Sequence, residues 1–211
     1  MGKTYLIITC CIHNQQGIRY PVKRKNEYFL AIANCLALLP KEITPIIVEN
    51  SCDGESFLDV FGCDVVYTRN NNFEIEGDYK LHKGVNELRD IKHVIEKYNI
   101  EDNDMIVKLT GRYLLFKDDV FQMVLKNPDR DAFVKYYNAL TYESRDIDMI
   151  LGFFAMKSKY FKIFEYRDPT IGAEEDFVSS INEFIPKDKI VRLEKLYLRL
   201  FFGEDAKMLD L

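Results

Sequence analysis

The sequence predicts an α/β protein, a three-layer α/β/α sandwich around a mostly parallel central sheet. Residues 4–12 (TYLIITCCI) form a continuous apolar run rich in isoleucine, as expected of a strand buried on both faces. Further apolar runs of strand length alternate with segments whose apolar residues recur at helical spacing. That alternation implies parallel strands joined by right-handed helical crossovers.

After the first strand, residues 24–39 place Phe29, Ile32, Ala33, Leu36 and Leu39 on one helical face, and Pro40 stops the pattern. A strand over 43–49 (ITPIIVE), a turn from Asn50 to Gly54, a short helix over 55–61 and a strand over 63–68 (CDVVYT) follow. A polar loop from Arg69 to Lys80 leads into a helix over 83–98, where Val85, Leu88, Ile91, Val94, Ile95 and Tyr98 share a face. Next come a strand over 105–110, a helix over 118–126, a strand over 132–137, an irregular acidic segment to 148 and a strand over 150–156. Helices over 158–164, 174–184 and 188–202 complete the expectation. The last carries Val191, Leu193, Leu196, Tyr197, Leu200 and Phe201, so it either packs on the sheet or marks where a further domain of a longer polypeptide attaches. The chain, 1–211, is read as one domain: it is long enough to bury one core and cramped for two.

The formal charge of -5 argues against nucleic acid or a membrane surface as partner, since both select a positive footprint. An anionic ligand must therefore be held by a few local cations. The five cysteines (Cys10, Cys11, Cys35, Cys52, Cys63) are odd in number and form no CxxC pair or zinc-ligand spacing, and so read as reduced thiols of a cytoplasmic protein. The apolar N-terminal run is too short to span a membrane and lacks a signal-peptide cleavage pattern. Gly2 does not make a myristoylation site, because Leu6 stands where serine or threonine is needed.

Ligands of open α/β sheets bind outside the carboxyl ends of the strands. In this chain those ends are polar: Thr9, Cys11 and His13 close the first strand, Glu49-Asn50-Ser51 the second, Arg69-Asn70 the third and Thr110-Gly111-Arg112 the fourth. Parallel strands bring the four together to line one crevice. Arg112 points to a phosphate-bearing ligand, because guanidinium pairs bidentately with phosphate oxygens and does not deprotonate. His82 and His93 read as exposed helix residues. By strand alternation Tyr136, Tyr137, Phe153 and Phe154 are mostly core, with one of each pair available to face a ligand.

Several segments resemble nucleotide-sugar-dependent glycosyltransferases of the GT-A fold. VENSCDGES (48–56) is similar to the turn that contacts base and ribose in that family, and KGVNEL (83–88) to its glycine-containing helix start beneath the diphosphate. LGFFAMKSKYF (151–161) is similar to the strand and helix lining the sugar and acceptor side, and GAEEDF (172–177) to the Glu/Asp pair that positions or deprotonates the acceptor. With KLTGRYLL, the combination resembles small glycosyltransferase domains of chlorella viruses and some bacterial glycan clusters, over residues 4–185.

The resemblance implies transfer of a hexose or deoxyhexose from a UDP-sugar to a hydroxyl of a glycan or glycoprotein acceptor, in the cytoplasm of the cell, or of the host if the source is viral. It places Thr9, Cys11, Glu49, Asn50 and Arg69 around the uridine. Lys83, Asn86, Gly111 and Arg112 would address the diphosphate and sugar, with Gly152 and Phe153 on the sugar side. Asp176 would be the general base, with Glu175 beside it, since a carboxylate at a helix start is stabilised as the anion and can take a proton from the acceptor.

One departure stands out. The family's Asp-x-Asp, which holds a divalent metal at the end of the fourth strand, is replaced here by Thr110-Gly111-Arg112. Mn²⁺ or Mg²⁺ is implied by the resemblance, but its ligands stay unassigned: Asp102/Asp104 precede their strand, at the wrong end of the sheet, and Asp146/Asp148 lie in the irregular segment. Two rivals remain. A sugar-1-phosphate nucleotidyltransferase shares the sheet but needs a Gly-rich, Arg-containing first loop, of which only Gly17 and Arg19 are present. A non-catalytic sugar-nucleotide or glycan-binding module would account for the missing acids.

Overall fold

The computed structural model describes residues 2–13, 21–70, 83–139, 141–144, 146–166, 173–202 and 207–210. Its elements are β1 (Thr4–Cys10), α1 (Pro21–Leu38), β2 (Ile43–Glu49), a 3-10 turn (Phe57–Phe61), β3 (Asp64–Tyr67), α2 (Lys83–Lys97), β4 (Met105–Thr110) and β5 (Leu114–Leu115). There follow α3 (Asp119–Lys126), β6 (Ala132–Val134), β7 (Phe153–Lys157), α4 (Ser158–Ile163), α5 (Ala173–Phe184), a 3-10 turn (Lys187–Lys189), β8 (Ile190–Arg192), β9 (Leu198–Phe202) and β10 (Lys207–Asp210).

Seven strands form the central sheet in the order β3-β2-β1-β4-β7-β6-β8. β3, β2, β1 and β4 are mutually parallel, and β6 and β8 run the same way. β7 alone is reversed, antiparallel to both β4 and β6. The mostly parallel sheet expected from sequence is thus what forms.

Alternate residues of each strand serve opposite faces. Tyr5 and Ile7 of β1, Ile46 and Val48 of β2 and Ile106 of β4 pack under Leu88, Ile91, Val94 and Ile95 of α2, Phe161 of α4 and Phe177 of α5. Leu6, Ile8, Ile47, Val107 and Leu109 face the other way, against Tyr28, Ile32 and Cys35 of α1, and Val120, Phe121 and Val124 of α3. Phe177 lies edge-on to Phe154 and Phe164, with centroids 5.1 and 4.7 Å apart, and so fixes α5 to the sheet.

The largest difference from expectation is at 188–202. This segment is not a helix: β8 joins the sheet edge beside β6, while β9 pairs with β5 and β10 in a second, three-stranded sheet. Leu196, Leu198 and Leu200 are buried and the residues between them are not, a period of two that helix-favouring leucines disguise. α1 also turns differently, burying Tyr28, Ala31, Ile32 and Cys35 and leaving Phe29 exposed against Phe61. The strand expected over 132–137 stops at Val134, that over 150–156 starts at Phe153, and the first strand ends at Cys10. Most of the expected loop over 69–80 lies outside the described residues.

Candidate active site

Because β1 to β4 are parallel, their carboxyl ends and the start of α2 share one side of the sheet. Backbone hydrogen bonds carry the ladder past the last paired residues: Asn50 N to Cys10 O (3.1 Å), Thr68 N to Glu49 O (3.0 Å) and Gly111 N to Thr9 O (2.9 Å). The four polar ends therefore form one continuous row. The β1 end is clamped from α1, where the Tyr28 hydroxyl accepts from Cys11 N at 2.9 Å and Arg24 Nη2 donates to Cys11 O at 2.9 Å.

Glu49 lies inside this row rather than on it. Its side chain accepts from Ile12 N (3.1 Å), Ser51 N (2.8 Å) and the Ser51 hydroxyl, and it is fully buried. Burial raises its pKa, against the hydrogen bonds that favour the anion. Its carboxylate ties the turns after β1 and β2 together, and Ser51 Oγ completes the tie by accepting from His13 N at 2.8 Å.

Two buried hubs that sequence reasoning did not identify support the row. Asp90, on α2, accepts from Asn50 Nδ2 (2.7 Å), Thr68 Oγ1 (2.6 Å) and Asn70 Nδ2 (2.8 Å), gathering the ends of β2 and β3 onto one carboxylate. Burial pushes its pKa up to about 6 although all three donors oppose the shift. The folded chain therefore holds this proton more tightly than the unfolded chain, so Asp90's contribution to stability is greatest in acid and is lost as pH rises from about 4 to about 6. Urea unfolding at pH 4.5 and 7 tests this: Asp90→Asn should lose less stability between the two than the unsubstituted chain, and an equal loss would reject the assignment.

The second hub is Lys108, fully buried in the middle of β4. Its Nζ donates at 2.8 Å to Glu87 Oε2, Thr110 Oγ1 and Leu151 O, and Glu87 Oε1 accepts from Thr9 Oγ1 at 3.3 Å. The Lys108 side chain is 2% exposed and that of Glu87 30%, so the lysine is the floor and the carboxylate reaches towards solvent. The signal was present in the sequence: a lysine inside the apolar run MIVKLT, on the face that packs under α2.

The residues expected at the diphosphate and sugar fall into two groups. Gly111 is required by packing, since a Cβ there would sit 2.7 Å from Cys10 Sγ and 3.1 Å from both Ile8 and Tyr28. Arg112 follows it and pairs with Glu27 of α1 (3.3 Å), which Lys23 also approaches (3.9 Å). Asn86 is buried on the first turns of α2, and Lys83 begins that helix, its side chain outside the described set. Arg69 has left-handed backbone (φ 59°) and an exposed ion pair with Asp53, which holds it beside the turn after β2.

Phe153, by contrast, is a correction. It is completely buried, edge-on to Phe121 of α3, and so belongs to the core and not to a sugar-facing surface; Phe154 is buried on the opposite face. The aromatic ring beside Gly152 is instead Tyr113, whose pKa burial pushes up to about 12. A Cβ on Gly152 would overlap that ring. Gly152→Ala should therefore destabilise the fold by about 1–3 kcal/mol, as overpacking does, and Tyr113→Ala in the same chain should relieve most of the loss. Urea midpoints of the single and double variants check this.

The carboxylates of α5 stand at its first turn. Asp176 is buried (3% exposed), Glu175 is exposed and Glu174 half-buried. Nearby, burial and then the charges of Glu174 and Glu175 raise the pKa of Asp148, which accepts from Asn138 Nδ2 at 2.5 Å. Asp146 is turned outward into a two-fold ion pair with Arg192 (2.8 and 2.7 Å). Asp104 accepts from Lys3 N and Glu101 N, and Asp102 pairs with Lys162, at the amino end of β4 away from the crevice as expected. For a divalent metal the fit is poor: β4 ends in Thr110-Gly111-Arg112, and among the described residues no three His, Cys, Asp or Glu side chains converge.

The fold is that of GT-A nucleotide-diphospho-sugar transferases. The mannosyltransferase PcManGT from Pyrobaculum calidifontis, in complex with GDP-Man and Mn²⁺, is similar over 91% of this chain and 55% of its own length (TM-score 0.55, 8% identity). A putative nucleotide-diphospho-sugar transferase from Desulfovibrio desulfuricans G20 is similar over 92% of this chain and 80% of its own (TM-score 0.56, 10% identity). Glucosyl-3-phosphoglycerate synthase from Mycobacterium tuberculosis, in complex with Mn²⁺, UDP and glucosyl-3-phosphoglycerate, matches 90% of this chain and 69% of its own (TM-score 0.54, 10% identity). The chain thus spans about half the length of the mannosyltransferase. No family model and no curated protein matches the sequence, and nothing in these comparisons supports a viral origin. No helix among the described residues is long and apolar enough to cross a membrane.

Proposed function

We propose that this chain is a nucleotide-sugar-dependent glycosyltransferase domain that moves a hexose or deoxyhexose from a UDP-sugar to a hydroxyl of a glycan or glycoprotein acceptor. The row of four polar strand ends over the start of α2, in a GT-A fold, is the observation that supports it. Thr9, Cys11, Asn50 and Arg69 border the uridine, while Glu49 acts from beneath by holding the two turns together. Lys83, Asn86 and the backbone at Gly111 face the diphosphate. Arg112 joins them by exchanging its single contact with Glu27 for a phosphate that its guanidinium can pair with bidentately.

In this reading the acceptor hydroxyl attacks the anomeric carbon as the bond from that carbon to the diphosphate oxygen breaks. UDP leaves, and Asp176 takes the hydroxyl proton, with Glu175 beside it. Mn²⁺ or Mg²⁺ is the usual counter-charge in such reactions, but the described residues do not provide its acids. No step is therefore assigned to it, and Arg112 and Lys83 supply positive charge from this chain.

A thermal-shift panel of UDP, GDP, CMP and UDP-sugars, each with and without Mn²⁺, tests the donor, since a ligand of the native state raises its apparent stability. UDP should stabilise more than GDP or CMP. Equal stabilisation by GDP would reject the base, and no stabilisation by any of them would reject the donor site. The acid-free end of β4 also favours a second reading, a non-catalytic sugar-nucleotide-binding module. A transferase slowly hydrolyses its donor without acceptor; a binding module does not.

A further inference from the structure

We infer that Asp90 is the positioning residue that makes this nucleotide site selective for a base carrying a ring N–H, so that uridine is taken and cytidine refused. The inference rests on the donor reading above and adds to it a residue and a selection rule.

An ionised carboxylate only accepts hydrogen bonds, so the amide end nearest it must be the NH₂. Asp90 accepts from Asn50 Nδ2 at 2.7 Å, from Asn70 Nδ2 at 2.8 Å and from the Thr68 hydroxyl at 2.6 Å. Both amide oxygens are thereby turned away from Asp90, and neither side chain is free to exchange its ends. The Asn50 side chain is buried (4% exposed), yet its Oδ1 has no hydrogen-bond donor, a state that native interiors rarely leave unmatched. Asn50 closes β2 and Asn70 follows β3, so the fixed acceptors lie along the row of strand ends where the base is placed.

Fixed acceptors discriminate by chemistry. The uracil ring presents N3–H and matches a carbonyl oxygen, whereas N3 of cytosine is itself an acceptor and would face Asn50 Oδ1 with two lone pairs opposed. An unmatched polar contact of that kind is enough to discriminate by roughly tenfold or more. Replacing Asp90 by asparagine keeps the size and offers both an oxygen and an NH₂, so Asn50 can turn either end outward and the discrimination should collapse.

Isothermal titration with UDP and CDP tests this. The unsubstituted chain should bind UDP roughly tenfold or more tightly than CDP, and Asp90→Asn should bring the two within roughly threefold. Asn50→Ala, which removes the amide without disturbing Asp90's other two donors, keeps the test available if Asp90→Asn does not fold. It should weaken UDP and leave CDP unchanged or somewhat tighter, because the acceptor opposed to cytosine N3 is gone. An unaltered UDP-to-CDP ratio in folded Asp90→Asn, or parallel loss of both nucleotides in Asn50→Ala, overturns the assignment while leaving the donor reading intact. Failure of the unsubstituted chain to bind either nucleotide overturns both.

Discussion

Lys108→Ala is expected to lower the unfolding free energy by about 2–4 kcal/mol, somewhat below the range for breaking a fully buried ion pair because Glu87 keeps partial access to water. The loss has three sources: Glu87 and Thr110 lose their donor, Leu151 O is left unmatched, and a fully buried side chain becomes a cavity. Urea unfolding of Lys108→Ala, Glu87→Gln and the double variant separates these. Glu87→Gln should recover part of the loss in the Lys108→Ala background by removing the unpaired charge. Strict additivity would show that the two side chains do not act as a pair. Donor binding should weaken in parallel, because Thr9 and Thr110 on neighbouring strand ends are held through this hub.

Asp176→Asn is expected to reduce sugar transfer by about a hundredfold or more, the size of effect that loss of a general base produces, with little change in UDP affinity. The variant keeps the shape of a residue that is 3% exposed, so stability should be nearly preserved. Glu174→Gln is the necessary comparison, since Glu174 is half-buried on the same turn and its charge bears on Tyr113, Tyr166 and Asp148. Transfer rates and UDP affinity measured on both variants decide which carboxylate serves the acceptor. A wild-type rate in Asp176→Asn, or loss of UDP binding in step with activity, would reject the base role.

The parallel half of the sheet was legible because burial on both faces leaves an apolar run that little else imitates: the strand over 105–110 has the expected bounds. The C-terminal segment was not, since leucine and arginine favour helix in isolation and the strand pairing of 198–202 with Leu114–Leu115 is a tertiary event. At the site, the row of polar ends could be read because it follows from strand direction alone. Of the hubs beneath it, Asp90 looks like any helical aspartate until its three donors converge, while Lys108 left a signal as a lysine inside an apolar run, although its partner Glu87 is brought to it only by the fold. Phe153 was misassigned for a related reason, as alternation gives the face of a strand but not what covers that face.

The central claim is that a nucleotide-sugar donor lies across the carboxyl ends of β1 to β4. Amide hydrogen exchange with and without saturating UDP tests it most directly, because ligand protection reports where on the chain the nucleotide rests. The account predicts slowed exchange at 9–13, 50–53, 68–70 and 110–113 and at the first turns of α2. It predicts no change in the open cavity of about 700 Å³ at the other end of the sheet, lined by Lys92, Asn99, Asp102 and Lys162 among others. Protection confined to that cavity, or absent from the strand ends at saturating UDP, would contradict it.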